Sequence, residues 1–364
     1  MYDLAIIGSG PAGATLARLV GTRLRVLLVD QRRLDAPPGG IGKCCGGLLA
    51  PNAQRALAAM GLAVPHAILA DPQLFTVRTL DIDNACERHY QRFYLNCDRE
   101  LFDRWLVGLL PAQVDARFGS RLTALRADAH GVELCLRAGK SAYTAHARLV
   151  VGADGANSLV RRLACPSPPP RFYLACQEWY ASPLAPPYFS ALFDRRITDF
   201  YAWAIPKGDH LIIGAPLTPR NRPAEKMARL RAQLTEYGVP LGTLVKREGA
   251  LLYRPQQLDQ ICPGMGRVAL IGEAAGWISP SSGEGISYAF RSALALADAL
   301  HEDLPGAIAR YTRLTSALRR DIALRLARST GMYTPWLRGL ILRSGVTGMQ
   351  IREQAQRLQQ GAPC

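Results

Sequence analysis

The spacing of hydrophobic residues at the start of the chain predicts a strand, a helix and a second strand. Residues 4–7 form a short apolar run, and Leu16, Leu19 and Val20 follow at the i, i+3, i+4 spacing of one helix face. The next apolar run covers residues 25–29. This order of elements is typical of the first unit of an α/β domain.

Farther along, the hydrophobic pattern changes period several times. Residues 96–106 predict an amphipathic helix, and residues 121–151 alternate as a three-stranded meander. Residues 172–255 are mainly strands with one helix near Pro223–Tyr237, and helices follow from about Tyr288. The pattern therefore predicts an α/β protein with one lobe rich in β-sheet and a helical C-terminus.

The turn between the first strand and helix carries glycines at Gly-x-Gly-x-x-Gly spacing. We expect Gly8 to permit a tight turn, Gly10 to let the backbone approach a pyrophosphate, and Gly13 to let the helix pack closely. Asp30 ends the second strand, seventeen residues after Gly13, where an adenosine ribose hydroxyl is expected. The glycines alone are weak evidence, but together with the strand, the helix and the distal acid they predict dinucleotide binding. The alternative is a strand–turn–helix without a ligand.

A second segment, near residue 270, points to the same kind of ligand. The apolar strand Val268–Ile271 leads into Gly272 and Glu273, and Gly283 and Gly285 precede an Ala-rich helix. A carboxylate at a strand end can accept hydrogen bonds from a polyol, and bare amides at a helix N-terminus can bind an anion. A flavin dinucleotide offers a ribityl chain and a pyrophosphate. One cofactor held by both ends of the chain is typical of a flavoprotein.

Composition and charge limit the other classes of function. The chain has 364 residues, 49% of them hydrophobic, and a net charge of +15. Residues 304–364 hold ten arginines against Asp321 and Glu353. No nucleic-acid motif accompanies this charge. It therefore indicates a solvated basic helical face or peripheral contact of the C-terminal helices with anionic lipid or a phosphorylated substrate.

Cysteine usage and hydropathy predict the compartment. The nine cysteines and six histidines lack metal-ligand spacing, so we expect no metal site and no disulfide-rich secreted fold. The sequence begins directly in the first strand, and no apolar run approaches the length of a membrane span. We therefore expect a reduced, cytoplasmic protein, with peripheral contact to the inner membrane left open.

Four separated motifs resemble those of one family: Gly8–Gly13, Arg99 with Phe102 and Asp103, Gly152–Gly155, and Gly272–Gly285. The chain resembles the p-hydroxybenzoate hydroxylase-fold flavoproteins, and within them the CbrA-like flavoproteins of the geranylgeranyl reductase family. The further matching stretches are residues 43–55, 90–92, 151–162, 197–205, 270–290 and 343–346. The similarity therefore runs nearly from end to end.

The resemblance implies a Rossmann-type FAD-binding lobe intertwined with a mixed β-sheet substrate lobe. The expected FAD-binding lobe comprises residues 1–62, 98–168 and 260–300, the substrate lobe residues 63–97 and 169–259, and the C-terminal helices residues 301–364. The Pro-rich stretch Pro166–Pro170 marks a crossing between lobes.

The resemblance also implies non-covalent FAD and assigns residues to it. Gly8, Gly10 and Gly13 are expected at the pyrophosphate, Asp30 at the ribose, Arg99 at the phosphate–ribityl region, Asp154 at the second glycine corner, and Glu273 at the ribityl or pyrophosphate group. The full expected set is Gly8, Gly10, Pro11, Ala12, Gly13, Asp30, Gln31, Cys45, Gly46, Arg99, Asp154, Gly272, Glu273, Gly283, Gly285 and Ile286. The wider superfamily usually has Asp in the place of Glu273, so the extra methylene requires a small shift of cofactor or strand.

Three residues are candidates for catalysis. Cys45 and Gly46 match a Cys-Gly motif that reductases of the family carry beside the flavin, where a thiol can donate a proton as hydride passes to a carbon–carbon double bond. The alternative for Cys45 is a small buried hydrophobe. Tyr201 and Trp203 match the Tyr-x-Trp-x-Phe-Pro motif of prenyl reductases. They are expected, with Trp277, to wall a substrate cavity, unless they only pack a lobe interface.

Three functions remain open from the sequence. The first is an FAD-dependent reductase of double bonds in an apolar, isoprenoid or lipid-like substrate, which the Cys-Gly motif and Gly283-Glu284-Gly285 favour. The second is a monooxygenase that uses a flavin C4a-hydroperoxide, and the third is a non-enzymatic flavin-binding accessory protein. Because no second Gly-x-Gly-x-x-Gly is present, electrons are expected from transiently bound NAD(P)H or an external reductase.

Overall fold

A computed structural model describes residues 1–39, 43–165, 171–183, 185–218 and 222–345 of the chain. The chain divides into two units, each built from three segments. The first unit contains Met1–Leu69, Cys97–Leu174 and Ala250–Ser329, and the second contains Ala70–Asn96, Ala175–Gly249 and the chain from Thr330 onward. The predicted crossing at Pro166–Pro170 and the basic tail after Gly345 lie outside the described residues.

The elements agree with the predicted mixture of strands and helices. The strands are β1 (Tyr2–Ile7), β2 (Val26–Asp30), β3 (Leu48–Leu49), β4 (Leu74–Asp81), β5 (Cys86–Asn96), β6 (Asp115–Phe118), β7 (Ser120–Ala127), β8 (Val132–Ala138), β9 (Ser141–Gly152), β10 (Phe172–Ala181), β11 (Phe189–Phe193), β12 (Ala202–Lys207), β13 (His210–Leu217), β14 (Thr243–Tyr253), β15 (Gly264–Met265) and β16 (Val268–Leu270). The α-helices are α1 (Pro11–Val20), α2 (Pro51–Ala59), α3 (Arg99–Gly108), α4 (Leu159–Ala164), α5 (Pro223–Glu236), α6 (Ile286–Glu302), α7 (Ala307–Leu314), α8 (Ser316–Tyr333) and α9 (Pro335–Arg343). The short helices α2 and α4 were not predicted.

The first unit is built on a sheet in the order β15, β16, β9, β1, β2, β6, with β8 and β7 continuing from β9 as the predicted meander. Strands β16, β9, β1, β2 and β6 run parallel. Leu4 and Ile6 pack with α1 and α6 on one face, whereas Ala5 and Ile7 pack with the meander and α8 on the other. Burial on both faces is typical of parallel strands.

The carboxyl ends of three of these strands meet at one edge. Ile7 of β1 pairs with Gly152 of β9, and Gly152 also pairs with Leu270 of β16. Open parallel sheets bind their ligands outside this edge. The register therefore places the three glycine-containing corners that follow these strands side by side.

The second unit is built on a sheet in the order β14, β10, β13, β12, β11, β4, β5. One face packs on α5, because Leu192, Ala204 and Ile213 form one buried cluster with Leu230 and Leu234 of that helix. Side chains alternate between the faces of a strand, so the neighbours of these residues lie on the opposite face. That opposite face carries Phe189 and Trp203, whose rings are linked through Tyr201.

The C-terminal helices, which the sequence analysis groups as residues 301–364, are divided between the two units. Helix α7 belongs to the first unit, where Tyr311 donates a hydrogen bond to the carbonyl of Leu270 at 2.9 Å. Helix α9 belongs to the second unit, where Arg338 pairs with Asp81 at 2.8 Å and both side chains are almost fully buried. The helices are divided because each packs on a different sheet.

One pair of cysteines differs from the expectation of a fully reduced chain. Cys165, at the end of α4, and Cys262, shortly before β15, form a disulfide, and both pack against the core of the first unit. In the described part of the chain, the other cysteines form no disulfide, no helix is long and apolar enough to cross a membrane, and no group of three His, Cys, Asp or Glu residues is arranged to hold a metal ion.

Candidate flavin-binding site

The glycines of the β1–α1 turn have different structural roles. Gly8 has a φ of +101°, and a Cβ there would lie 2.4 Å from the carbonyl oxygen of Ala153. A Cβ on Gly13 would lie 1.8 Å from the carbonyl oxygen of Gly8. A Cβ on Gly10 would meet nothing closer than Arg32 Nη2, at 4.0 Å. Gly8 and Gly13 are therefore needed for the turn itself, whereas Gly10 faces open space.

That open space lies at the N-terminus of α1. Gly10 is the N-cap residue, no side chain caps the helix, and Pro11 occupies its first position. Uncapped amides at the positive end of a helix dipole are suited to a phosphate group. Pro11 and Ala12 are buried behind this surface. The observed geometry fits the pyrophosphate site that the sequence predicts.

The two ends of the chain meet beside this turn. A Cβ on Gly272 would approach the Cβ of Ala12 to 3.0 Å, and the amide of Ala153 donates to the carbonyl of Ile7 at 2.7 Å. Gly272 has a φ of +57°, and the same added Cβ would lie 3.8 Å from the Cα of Ala289 in α6. The N-terminal turn, the corner after β9 and the corner after β16 therefore form one continuous surface.

The carboxylate of Asp30 is held by this chain's own residues. It accepts from the amide and hydroxyl of Ser9 at 2.7 and 2.8 Å, and from the amide and guanidinium of Arg32 at 2.8–3.2 Å. Burial alone would raise the pKa of Asp30, but the Arg32 hydrogen bonds and charge hold it below its ordinary value. A ribose hydroxyl at Asp30 must therefore share the carboxylate with Arg32 or displace it. Gln31, next in sequence, is exposed.

A network of charges extends from Asp30 to Cys45. Arg32 donates to Asp103 at 2.8 Å, and Asp103 also accepts from Arg99 at 2.8 Å. Arg99 in turn lies close enough to Cys45 for its charge to act on the thiol. The predicted ribose-binding, phosphate-binding and catalytic residues are thus joined through side-chain contacts.

The charges around Cys45 favour its thiolate. Burial would raise the pKa of the thiol, but the Arg99 guanidinium, the Gly47 amide and the Lys43 ammonium together bring it below its ordinary value. A thiolate beside arginine and lysine is stabilised in the way that reactive cysteines are. Gly46 lies between Cys45 and Gly47 in the same loop.

Glu273 is paired with a lysine that sequence reasoning did not single out. Lys43 Nζ lies 2.6 Å from one carboxylate oxygen, and the amide of Tyr253 donates to the other at 3.0 Å. This pair brings the Cys45 loop to the corner after β16. It also neutralises the carboxylate, so that Glu273 need not repel a nearby phosphate.

Asp154 caps a helix. Its carboxylate accepts from the amides of Leu159 and Val160 at 2.7 and 3.2 Å and from the Ser158 hydroxyl, at the start of α4. Burial raises the pKa of Asp154, although these hydrogen bonds oppose the change. Its observed contacts give it a structural role, and contact with the cofactor stays a prediction.

The N-terminus of α6 is less open than the sequence suggests. Gly283 has a φ of +65° and Gly285 is the N-cap residue, followed by the buried Ile286. Glu284, however, accepts from the amide and hydroxyl of Ser287 at 2.7 and 2.5 Å. The expectation of bare amides at this helix is therefore wrong for Ser287, because its amide already donates to the Glu284 carboxylate, which lies where a ligand anion would bind.

The remaining predicted residues lie elsewhere. Tyr201 and Trp203 belong to the second unit, where Tyr201 contacts the rings of Phe193, Phe200 and Trp203 at centroid distances of 5.0–6.3 Å. Trp277 is fully buried in the core of the first unit, and its indole N–H donates to Tyr311 at 3.0 Å. Trp277 is therefore a core residue and not the cavity wall that was expected.

Arg32 and Lys43 are the site residues that the sequence analysis missed. In the sequence, Arg32 lies two positions after Asp30 and Lys43 lies two positions before Cys45. A basic residue close to a motif is the sequence signal for each. In the structure, Arg32, Lys43 and Arg99 are paired with carboxylates, so the net positive charge suited to a dinucleotide phosphate comes from the uncapped N-terminus of α1. With this helix terminus beside the glycine turn, the described residues fit FAD.

Comparison with known proteins identifies the class. A family model described as an FAD binding domain matches residues 1–166. A geranylgeranyl bacteriochlorophyll reductase-like protein from Thermoplasma acidophilum has a similar structure, with a TM-score of 0.74 and 19% identity over 92% of this chain and 88% of that one. PqsL from Pseudomonas aeruginosa, described as a probable FAD-dependent monooxygenase, has a TM-score of 0.68 and 22% identity over 94% and 98% of the two chains. The fold and the site therefore define a protein with an FAD-binding domain and the p-hydroxybenzoate hydroxylase-like fold.

The sequence comparison narrows this class to one family. Protein CbrA of Escherichia coli O9:H4 is 38% identical over 345 residues, which cover 95% of this chain and 94% of that protein. CbrA of Shigella sonnei is 37% identical and covers 95% and 97% of the two chains. The chain belongs to the CbrA family.

Proposed function

We propose that the protein is an FAD-dependent reductase of carbon–carbon double bonds in an apolar, isoprenoid or lipid-like substrate. The observation that carries this proposal is the contact of Cys45 with Arg99 inside the FAD-binding unit. It links a cysteine of a Cys-Gly motif to the residue expected at the cofactor's phosphate–ribityl region. The structural similarity to a geranylgeranyl bacteriochlorophyll reductase-like protein supports the same reaction type.

The residues that would hold FAD follow from the site. The N-terminus of α1 at Gly10 and the guanidinium of Arg32 would bind the pyrophosphate, and Arg99 would bind the phosphate–ribityl region. When bound, FAD supplies a carrier that accepts and donates two electrons as hydride. As electron donor we propose transient NAD(P)H or an external reductase.

Cys45 would control a proton at its sulfur. Without a cofactor, Arg99 and Lys43 lower the pKa of the thiol and favour the thiolate. A phosphate bound at Arg99 would offset this positive charge, and the pKa of Cys45 would rise as a consequence. The thiol would then carry the proton that a double bond needs after it accepts hydride.

The test is an anaerobic single-turnover experiment. The holoprotein is reduced with dithionite, freed of excess reductant, and mixed with geranylgeraniol or geranylgeranyl phosphate. A reductase reoxidises its flavin without oxygen, and the product gains two hydrogen atoms by mass spectrometry. The Cys45→Ala variant should retain FAD and lose most of this rate, whereas Cys44→Ala should behave like the wild type.

A monooxygenase is the second candidate, because PqsL shares the fold over nearly the whole chain. In the same experiment a monooxygenase stays reduced until oxygen is admitted, and its product then gains an oxygen atom. Label from ¹⁸O₂ in the product would replace the reductase proposal with this one. FAD binding without turnover of either kind would favour an accessory protein.

We further propose peripheral contact with an anionic membrane surface through α9. Trp336 and Leu340 lie on one side of this helix and are 66% and 57% exposed. Arg343 ends the helix, and the exposed Arg88 donates to the carbonyl of Leu342 beside it. Exposed tryptophan and leucine next to arginines suit the headgroup region of an anionic bilayer.

Vesicle co-sedimentation tests this contact. The protein should sediment with vesicles of phosphatidylglycerol and phosphatidylethanolamine, and less with phosphatidylcholine alone. The double variant Trp336→Ala, Leu340→Ala should lose binding, whereas Val245→Ala, which removes another exposed apolar side chain of the second unit, should not. Equal binding of all three proteins would refute a role for α9.

A further inference from the structure

A row of aromatic rings crosses the second unit's sheet on the face opposite α5. Tyr94 of β5 lies 5.7 Å from Phe189 of β11, Phe189 lies 6.5 Å from Tyr201, and Tyr201 lies 6.3 Å from Trp203 of β12, between ring centroids. The strand register agrees, because Ala191, two residues after Phe189, pairs with Trp203. The ring contacts are therefore continuous from β5 to β12, with Phe189 buried in the middle of the row.

Arg92, which has no acidic partner among the described residues, lies at one end of this row. The guanidinium carbon of Arg92 lies 5.1 Å from the ring centroid of Tyr94, and Arg92 Nε is buried with no hydrogen-bond partner in the described part of the chain. In the described residues Arg92 forms no ion pair, whereas Arg78 on the adjacent strand β4 pairs with Glu87 at 2.7 Å. A partly buried arginine is usually paired, so the unpaired state of Arg92 requires an explanation.

Stacking on Tyr94 does not satisfy Arg92. An aromatic ring interacts with the face of a guanidinium, while the N–H groups point outward in its plane. The ring therefore orients the guanidinium but gives its in-plane N–H groups no hydrogen-bond acceptor. This arrangement suits bidentate recognition of a carboxylate or phosphate, which also lies in the plane of the fork.

A second unsatisfied donor lies at the other end of the row. Trp203 Nε1 is buried and has no hydrogen-bond partner in the described part of the chain. The indole packs flat over Gly214, where a Cβ would come within 2.7 Å of it. Two unpartnered N–H donors thus flank an apolar surface on one sheet face. Buried donors without partners are costly unless a ligand satisfies them.

We propose that this row is a binding surface for an anionic amphiphile, with Arg92 binding its carboxylate or phosphate group and the rings from Tyr94 to Trp203 binding its apolar body. The Trp203 N–H, at the other end of the row, donates to a second polar group of a ligand long enough to span the row. The proposal rests on the proposed function, because it takes this ligand to be the substrate. It makes Arg92 the residue that selects charged over neutral forms of an apolar molecule.

Isothermal titration calorimetry of the FAD-loaded protein tests the proposal with three matched probes: geranyl phosphate, geranic acid and neutral geraniol. Because Arg92 would form charge-assisted hydrogen bonds with an anion and not with an alcohol, we expect at least one anion to bind about 10- to 150-fold more tightly than geraniol. Arg92→Met should bring the Kd of that anion to the value for geraniol and leave geraniol unchanged. Arg92→Lys should restore part of the preference. The tighter of the two anions identifies the head group as phosphate or carboxylate.

Arg229→Met is the matched control. Arg229 is exposed on α5, against the opposite face of the sheet, so this variant removes the same charge without touching the row. It should keep the wild-type preference for anions. Three results overturn the proposal: geraniol binding as tightly as both anions, Arg92→Met weakening all probes equally, or no binding of any probe to folded FAD-loaded protein. These binding measurements do not depend on turnover. If the protein fails to reduce a double bond but still binds the anions more tightly than geraniol, the proposed function is refuted and the binding proposal is not.

Discussion

Replacing Gly10 by valine would separate the ligand-binding role of the first glycine turn from its structural role. Gly10 has φ −67° and ψ −175°, an extended conformation that valine adopts readily. A Cβ there meets only the far end of Arg32, at 4.0 Å. The protein without FAD should therefore fold normally, with a free energy of unfolding within about 0.5 kcal/mol of the wild type.

FAD binding should respond very differently. The branched side chain would fill the space before the N-terminus of α1 and prevent the pyrophosphate from reaching its amides. Loss of two charge-assisted hydrogen bonds costs about 3 kcal/mol or more, which weakens the Kd by about 100-fold or more.

Gly13→Ala provides the contrast. Its Cβ would lie 1.8 Å from the carbonyl oxygen of Gly8, so the turn must move. An overpacking cost of about 3 kcal/mol, offset by about 1 kcal/mol of helix propensity, leaves about 2 kcal/mol of destabilisation. For a unit of this size, that lowers Tm by about 4–8 °C.

Both variants are measured first without FAD, by thermal denaturation, because bound ligand would itself raise Tm. FAD is then titrated and followed by quenching of its fluorescence. Wild-type affinity in Gly10→Val, or a loss of stability as large as that of Gly13→Ala, would refute the assignment of Gly10 to the pyrophosphate.

Three further predictions follow from particular contacts. Without FAD, alkylation of Cys45 by iodoacetamide should reach its half-maximal rate at a pH below the ordinary thiol pKa, and Lys43→Met should raise that pH. Since folding lowers this pKa, the stability that the thiolate contributes is present above the unfolded pKa and is lost as pH falls through the folded pKa. Asp154→Ala should cost about 1–2 kcal/mol through loss of its hydrogen bonds to the start of α4, and the FAD Kd of the same variant tests the predicted contact of Asp154 with the cofactor, since an unchanged Kd would contradict it. Arg338→Met should cost about 3–5 kcal/mol in urea unfolding by leaving Asp81 buried and unpaired, whereas Arg343→Met at the end of α9 should cost little.

Much of the fold could be predicted because its signals are local. The spacing of Leu16, Leu19 and Val20 predicts α1, and the alternation over residues 121–151 predicts the meander. Gly8 and Gly13 could be assigned because a missing Cβ has a direct consequence within one turn. By contrast, the short helices α2 and α4 have too few turns to produce a clear period.

The elements with a clear hydrophobic period, the glycine turn and the acidic residues at the ends of strands are predictable from the sequence, because these depend on neighbours within a few positions. The contacts of those acids depend on the packing of distant segments. Asp154 accepts hydrogen bonds at the start of α4, and Glu273 is the partner of Lys43, which lies 230 residues away. Trp277 lies in the core, and Arg92 has no acidic partner among the described residues. The residue type fixes the charge and shape of a side chain. Its partner depends on the fold, because the packing of the sheets decides which distant segments come within hydrogen-bonding distance.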